Sequence, residues 1–200
     1  IAFIILEHIQ GEGGYNPTSK RMVKEIRRLC YQYKIPYIAD EVQSGIGRTG
    51  KWWAIENFDI TPDVISSAKA LQVGATIANK KMFPEKKGVI SSTWGGGHVI
   101  DLAIGIETIK IIKKEKLLQR NKIMGDYINK RLKELNPSDT LVWNARGIGL
   151  MQAFDLPTQK IRDDVITECV KNGLVLLGCG RKGILLIPPY IIEKKQVDDA

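Results

Sequence analysis

Two rhythms of apolar and polar positions divide this chain. Ile1-Ala2-Phe3-Ile4-Ile5-Leu6 is an almost unbroken apolar run, the pattern of a strand buried on both faces of a parallel sheet. Over residues 19–33 the spacing becomes helical, with Met22, Val23, Ile26, Leu29 and Cys30 on one face and Thr18 or Ser19 available as a cap after Pro17. Pro36-Tyr37-Ile38-Ala39 predicts a second short strand that ends at Asp40. A Gly-rich loop and a short helical piece over 52–58 lead to a third strand, Val64-Ile65-Ser66-Ser67, which runs into Ala68-Lys69. Residues 74–78 predict a fourth. Strand, helix and parallel strand in succession predict the α/β class, a mostly parallel sheet covered by helices.

Beyond residue 98 the pattern changes. Ile100, Ala103, Ile104, Ile106, Ile109 and Ile112 predict a long helix over 98–116, and a second helix follows over 117–135. Short apolar runs at 141–145, 149–154, 174–177 and 184–187 then surround a helix over 161–172, an α+β arrangement. The change of rhythm puts a domain boundary between Ile112 and Gln119, giving units 1–115 and 116–200. A chain that opens inside a central strand, without an initiator Met, is expected to be a piece of a longer one.

Composition narrows the function. The net charge of +8 admits a nucleic-acid or anionic-membrane partner in principle. The lysines and arginines are dispersed, however, and no aromatic residues interleave their small clusters as a base-stacking surface requires. No apolar run approaches the roughly 18 residues that span a bilayer. The expectation is therefore no nucleic acid and no membrane. Cys30, Cys169 and Cys179 lie far apart and form neither a metal pair nor a disulfide set, which predicts free thiols in a reducing, cytoplasmic setting. His8 and His98 lack Cys or His neighbours at ligand spacing, so no metal site is expected.

Chemistry is expected at the strand ends, because ligands of open α/β sheets bind outside the carboxyl ends of the strands. Here those ends run into Glu7, into Asp40-Glu41 and into Ala68-Lys69. A lysine amine can form a Schiff base with the aldehyde of pyridoxal phosphate. An acid beside it can keep the pyridine nitrogen protonated, so that the ring accepts electrons from a substrate carbanion. An ordinary ion pair between strand ends is the competing reading of the same residues.

Local motifs separate the two readings. Glu7-His8-Ile9-Gln10-Gly11-Glu12-Gly13-Gly14 resembles the EPxQGEGG segment of class III pyridoxal-phosphate-dependent aminotransferases. The run from Asp40 to Gly50 resembles that family's DEVQxGxGRTG segment, and Pro62-Asp63-Val64-Ile65 with Ala68-Lys69 its cofactor-lysine segment. Ser92-Thr93-Trp94-Gly95-Gly96, Arg146-Gly147-Ile148-Gly149-Leu150-Met151 and Pro188-Pro189 are similar to later motifs, in the family's order. The resemblance implies the C-terminal half of a fold-type I transferase: part of the large, mostly parallel-sheet domain plus a smaller C-terminal α+β domain. It also implies the cofactor pyridoxal 5'-phosphate and a homodimer or higher homo-oligomer. Lys69 would carry the cofactor and shuttle the proton. Asp40 would bind the pyridinium nitrogen, Gln43 the 3-oxygen, and Val42 would pack on a ring face. Thr93, with Ser92 nearby, would reach the phosphate of the neighbouring subunit's cofactor. Glu12 would be a gating glutamate in substrate binding, and Glu7 would support the site from behind. As structural alternatives, Gln43 is a loop amide, Glu12 caps a glycine turn and Thr93 is a turn residue. Arg48 and Arg146 resemble scaffold positions.

Leu71-Gln72-Val73-Gly74, Ser91 to Gly96 and Phe154-Asp155-Leu156-Pro157-Thr158 lean toward the lysine 6-aminotransferase branch, with the 4-aminobutyrate branch sharing the core motifs. Both imply transfer from an amino-acid or ω-amine donor to a 2-oxo acid, 2-oxoglutarate, by a ping-pong route. Some positions depart from the family. His8 stands for the usual proline, Gly97-His98 for Asn-Pro, and Leu185 for the arginine that takes a substrate carboxylate. Arg181 lies in a segment that reads as a turn. These departures keep open a non-catalytic cofactor-binding protein, or another class III member such as a racemase. Gly45 to Gly50 also spells GxGxxG, with Asp63 downstream. A dinucleotide fingerprint would follow its strand at once and open a helix, and this segment does neither.

Overall fold

The computed structural model describes residues 1–86, 97–135 and 141–200. The first sheet has the order β1 (Ile4–Leu6), β2 (Tyr37–Asp40), β3 (Val64–Ser67), β4 (Ala75–Ala78). β1, β2 and β3 are mutually parallel and β4 is antiparallel to β3, so this part of the sheet is mixed. Helix α1 (Lys20–Tyr33) crosses between β1 and β2. Ser19 caps it, accepting from the Met22 amide at 3.2 Å. Val23 and Cys30 of α1 pack on Tyr37 and Ala39 of β2 with Ile55 and Phe58, which makes one face of the sheet a closed core.

The expected burial of β1 is only partly met. It begins at Ile4, and Phe3 and Ile5 are half exposed because β1 is the outer strand of the described sheet and one of its faces is uncovered. Helix α2 (Val99–Lys114) likewise buries only Gly105 and Ile112 and leaves Ile100, Leu102, Ile104 and Ile106 exposed.

The second half forms another sheet, β5 (Trp143–Ile148), β6 (Met151–Asp155), β8 (Gly183–Leu186), β7 (Leu177–Cys179), antiparallel throughout. Helix α3 (Leu117–Glu134) lays Met124, Ile128 and Leu132 on Phe154 and Ile184 of this sheet and on Leu150 in its β5–β6 turn. Helix α4 (Gln159–Lys171) adds Ile161, Val165 and Ile166 to the same core. A short terminal helix, α5 (Lys194–Asp199), completes the chain; the apolar pattern does not announce it because it buries nothing fully.

The second sheet clamps loops of the first. The Leu150 amide donates to the Arg48 carbonyl at 2.9 Å, and the Gly180 amide to the Glu12 carbonyl at 3.0 Å. Arg146 Nε donates to the Gly14 carbonyl at 2.7 Å, and Asn121 Nδ2 to the Gly47 carbonyl at 2.9 Å. These bonds hold the 11–14 and 46–50 loops, which flank the carboxyl ends of β1 and β2.

Candidate active site

Because β1, β2 and β3 are parallel, Glu7, Asp40 and Lys69 come to one edge of the sheet. Asp40 pairs in register with Ser66, so both side chains project to the same face. Their neighbours Ala39 and Ile65 project to the other face, toward α1. Asp40 Oδ1 accepts two hydrogen bonds, from the Val42 amide at 3.0 Å and from Ser66 Oγ at 3.2 Å. The first closes a local turn in which the aspartate binds the amide two residues on. Among the described residues no donor reaches Asp40 Oδ2.

Lys69 follows β3 by two residues and opens a 3-10 turn over Lys69–Leu71. It is exposed, and its φ of +42° lies in the left-handed region that a non-glycine residue adopts at some cost. The turn is held locally: the Lys69 carbonyl accepts from the Gln72 amide at 2.8 Å and from Gln72 Nε2 at 3.1 Å. It is also braced by α2, where a Cβ at Gly105 would come within 2.8 Å of the Leu71 carbonyl oxygen. No carboxylate pairs with Lys69 among the described residues, so the rival reading, a strand-end ion pair, has no geometry behind it there.

The loop after β2 is fixed from below by Glu41, which is fully buried. Its carboxylate accepts from Ser44 Oγ at 2.7 Å, from the Ala54 amide at 2.9 Å and from the Ile55 amide at 2.8 Å. Burial pushes its proton affinity up while the three donors pull it down. Val42 and Gln43 are half-buried above this anchor. Gln43 Oε1 sits so close to Gly11 that a Cβ there would lie 2.0 Å from it. Glu7 Oε2 accepts from the Gly11 amide at 2.9 Å. Glu7, Gly11 and Gln43 thus meet beside Asp40, and a side chain at position 11 would displace the Gln43 amide from its place.

Glu12 is exposed, and its carboxylate has neither hydrogen bond nor ion pair among the described residues. Leu185, where the family pattern has arginine, is buried among Ile9, Tyr15, Ala54, Met151, Ala153 and Cys179. Arg181 is exposed in the turn between β7 and β8. Arg48 and Arg146 are committed to scaffold contacts: Arg48 Nη1 donates to the Pro188 carbonyl at 2.6 Å and stacks on Tyr190, and Arg146 pairs with Asp155 at 3.0 Å. Ser92 and Thr93 lie outside the described residues. The GxGxxG segment, Gly45 to Gly50, is a run of turns, and both carboxylate oxygens of Asp63 are taken by Arg27, so no acid is free there for a ribose. Ser66 and Glu41 are the contributors to the site that sequence reasoning missed. Ser66 belongs to none of the motifs and Glu41 lies in the DEVQ run without an assigned role, and their partners are known only once strand register and loop path are known.

The family model for class III aminotransferases matches residues 1–200, and the chain belongs to that family. It is 37% identical to an acetylornithine aminotransferase of Archaeoglobus fulgidus, over all of this chain and 52% of that protein. It is 34% identical to a 5-aminovalerate aminotransferase of Pseudomonas putida, over 99% of this chain and 50% of that one. Among solved structures, a lysine aminotransferase from M. tuberculosis in the internal aldimine form superposes with a TM-score of 0.95 at 32% identity, covering all of this chain and 47% of its own. The chain spans about half the length of the curated relatives it matches. The fold is therefore fold-type I, and the family's cofactor is pyridoxal 5'-phosphate. The residues present fit that group: an exposed amine without an ion-pair partner among the described residues for its aldehyde, and a carboxylate with one oxygen taken by two donors and the other, among the described residues, open for its ring N–H.

Proposed function

We propose that this chain carries the cofactor lysine, Lys69, and the pyridinium acid, Asp40, of an aminotransferase that moves an amino group from an ω-amine donor, such as lysine or 4-aminobutyrate, to 2-oxoglutarate. The observation behind this reading is that Lys69, which has no ion-pair partner among the described residues, and a half-satisfied aspartate lie at neighbouring parallel strand ends. The relatives named for acetylornithine, 5-aminovalerate and lysine aminotransferases support a donor bearing an amine far from its carboxylate.

Bound pyridoxal phosphate supplies an electron sink for the carbanion formed at the substrate carbon. Asp40 Oδ2 would accept the ring N–H and keep that nitrogen cationic. Lys69 Nζ would hold the cofactor and, once the donor's amine has taken its place and left it a free amine, would carry the proton off the amine-bearing carbon. Gln43 would hydrogen-bond the ring's 3-oxygen and Val42 would pack on a ring face, while Glu7 holds the Gly11 amide so that this loop stays close. Ser92 and Thr93 serve the phosphate of a neighbouring subunit's cofactor, so the working form is a homodimer or larger. Glu12 serves as the mobile acid at the substrate entrance. Residues 1–115 belong to the cofactor-binding unit and 116–200 to the smaller one, in line with the two separate sheets. The enzyme works in the cytoplasm in this reading, its three cysteines being spaced too far apart in sequence to suggest a disulfide set.

A second reading, a protein that retains cofactor but not this substrate range, is favoured by Leu185, which turns into the core and offers no cation. Absorbance of the full-length protein loaded with pyridoxal phosphate tests both. The band of lysine-bound cofactor disappears on adding lysine or 4-aminobutyrate and returns with 2-oxoglutarate if the enzyme reading is right. A band that no amine discharges supports the second reading, and a band that survives Lys69→Ala defeats the assignment of Lys69.

A further inference from the structure

Asp40 and Ser66 are a register pair of the parallel strands β2 and β3, and the row continues across β3 to Thr76 of β4 on the same face. Of these residues only Ser66 donates to the carboxylate, its Oγ lying 3.2 Å from Asp40 Oδ1. The same oxygen takes the Val42 amide at 3.0 Å. Two donors on one oxygen, one from the chain's own turn and one from the adjacent strand, fix the rotation of the carboxylate about its last bond. A planar group so pinned presents Oδ2 in one direction. With only the Val42 bond, the terminal torsion of an aspartate is broad and roughly two-fold. Ser67, the next residue, faces α1 instead and leaves its buried hydroxyl without a partner, so the two adjacent serines are not interchangeable.

We infer that Ser66 is a positioning residue for the aspartate that meets the cofactor: its hydroxyl, with the Val42 amide, holds Asp40 Oδ1 so that Oδ2 is aimed at the protonated ring nitrogen. The inference rests on the reading of Asp40 as that nitrogen's partner. Ser66 itself touches neither cofactor nor substrate in this role, and it acts only through Asp40.

The test uses the full-length protein loaded with pyridoxal phosphate carrying nitrogen-15 in the ring. Ser66→Thr and Ser66→Val are compared, since the two substituents share a β-branched shape suited to a strand and differ in the hydroxyl. The readouts are the nitrogen-15 chemical shift of the bound ring and the cofactor dissociation constant, with Asp40→Ala as reference. Ser66→Thr should keep the wild-type shift and affinity. Ser66→Val should move the shift part of the way toward that of Asp40→Ala and weaken cofactor binding about tenfold, as expected for one hydrogen bond to a charged group. Equal values for Ser66→Thr and Ser66→Val overturn the positioning role, because packing and not the hydroxyl is then what matters. If Asp40→Ala itself leaves the ring shift unchanged, the underlying reading of Asp40 fails, and that result is distinct from failure at Ser66 alone.

Discussion

His8 Nε2 and Tyr37 Oη meet at 2.5 Å inside the molecule, with both residues fully buried and Phe58 against the imidazole. This hydrogen bond joins the start of the 8–14 loop to β2, the strand that ends in Asp40.

Burial holds the His8 imidazole down to about 4 from its ordinary 6.5. The folded state therefore binds fewer protons than the unfolded chain in this range. Stability is complete above pH 6.5, declines as pH falls from 6.5 toward 4, and then levels. The contribution at stake is about 3 kcal/mol. Urea unfolding at a series of pH values should show His8→Gln losing much less stability than wild type across this interval. Parallel curves for the two proteins would refute the assignment.

Arg27 and Asp63 form a forked pair, Nη1 to Oδ2 at 2.6 Å and Nη2 to Oδ1 at 3.1 Å, and Asp63 Oδ2 also accepts the Tyr37 amide at 2.9 Å. Arg27 is 9% exposed in its side chain and Asp63 33%. Removing the acid strands a buried guanidinium, so Asp63→Ala should destabilise by about 3 kcal/mol, the low end of the range for buried pairs because Asp63 is partly exposed. The Arg27 hydrogen bonds hold the Asp63 carboxyl below its ordinary 3.8. Its stabilisation is present above that value and is lost only as pH falls through the lower folded-state value, below the His8 interval. Thermal unfolding of Asp63→Ala and wild type should converge only under such strongly acidic conditions.

Leu185 is 3% exposed, in a cluster of apolar side chains. Writing the family's arginine into this position would bury an unpaired cation, and Leu185→Arg should lose about 3–5 kcal/mol. Leu185→Met, nearly the same volume, should cost under about 1.5 kcal/mol. Calorimetry reads both. A folded Leu185→Arg protein with tighter dicarboxylate binding would show that the position opens toward substrate after all.

Gly125 of α3 lies on the β5–β6 turn, and a Cβ there would stand 2.0 Å from the Gly149 carbonyl oxygen. Helix propensity alone favours Gly125→Ala by up to about 1 kcal/mol. The clash is with backbone on both sides, and overpacking of this kind costs about 1–3 kcal/mol or more. Gly149 in turn abuts Thr49, so the displacement should reach the loop that follows Gln43. Gly125→Ala should therefore lower the melting temperature and weaken cofactor binding together. A more stable variant would mean that helix and turn can separate freely.

Much of this was legible along the chain. The helical spacing of Val23, Ile26 and Cys30 located α1, and the short apolar runs located β2 and β3, because burial on one face leaves a periodic trace. Strand ends were less certain: β5 covers Trp143–Ile148 where the apolar run suggested 141–145, and β7 covers Leu177–Cys179 where it suggested 174–177. Both are outer strands of their sheet and bury less, so they are marked less clearly, and β5 is further interrupted by a register shift. Lys69, Asp40 and Gln43 stood out through their motifs, whereas Ser66, the Glu41 anchor and the destination of Leu185 did not.

By itself the sequence determined the α/β class, the family and the chemical types at the strand ends, since these follow from residue identity, spacing and motif order. Only the tertiary structure decided that Asp40 Oδ1 is shared by Val42 and Ser66 while Oδ2 stays open, that Gln43 rests on Gly11, and that Leu185 turns inward. The physical reason is that these contacts join residues distant along the chain: strand register and loop closure set which groups meet, and no local pattern of side chains encodes a partner that folding brings from elsewhere.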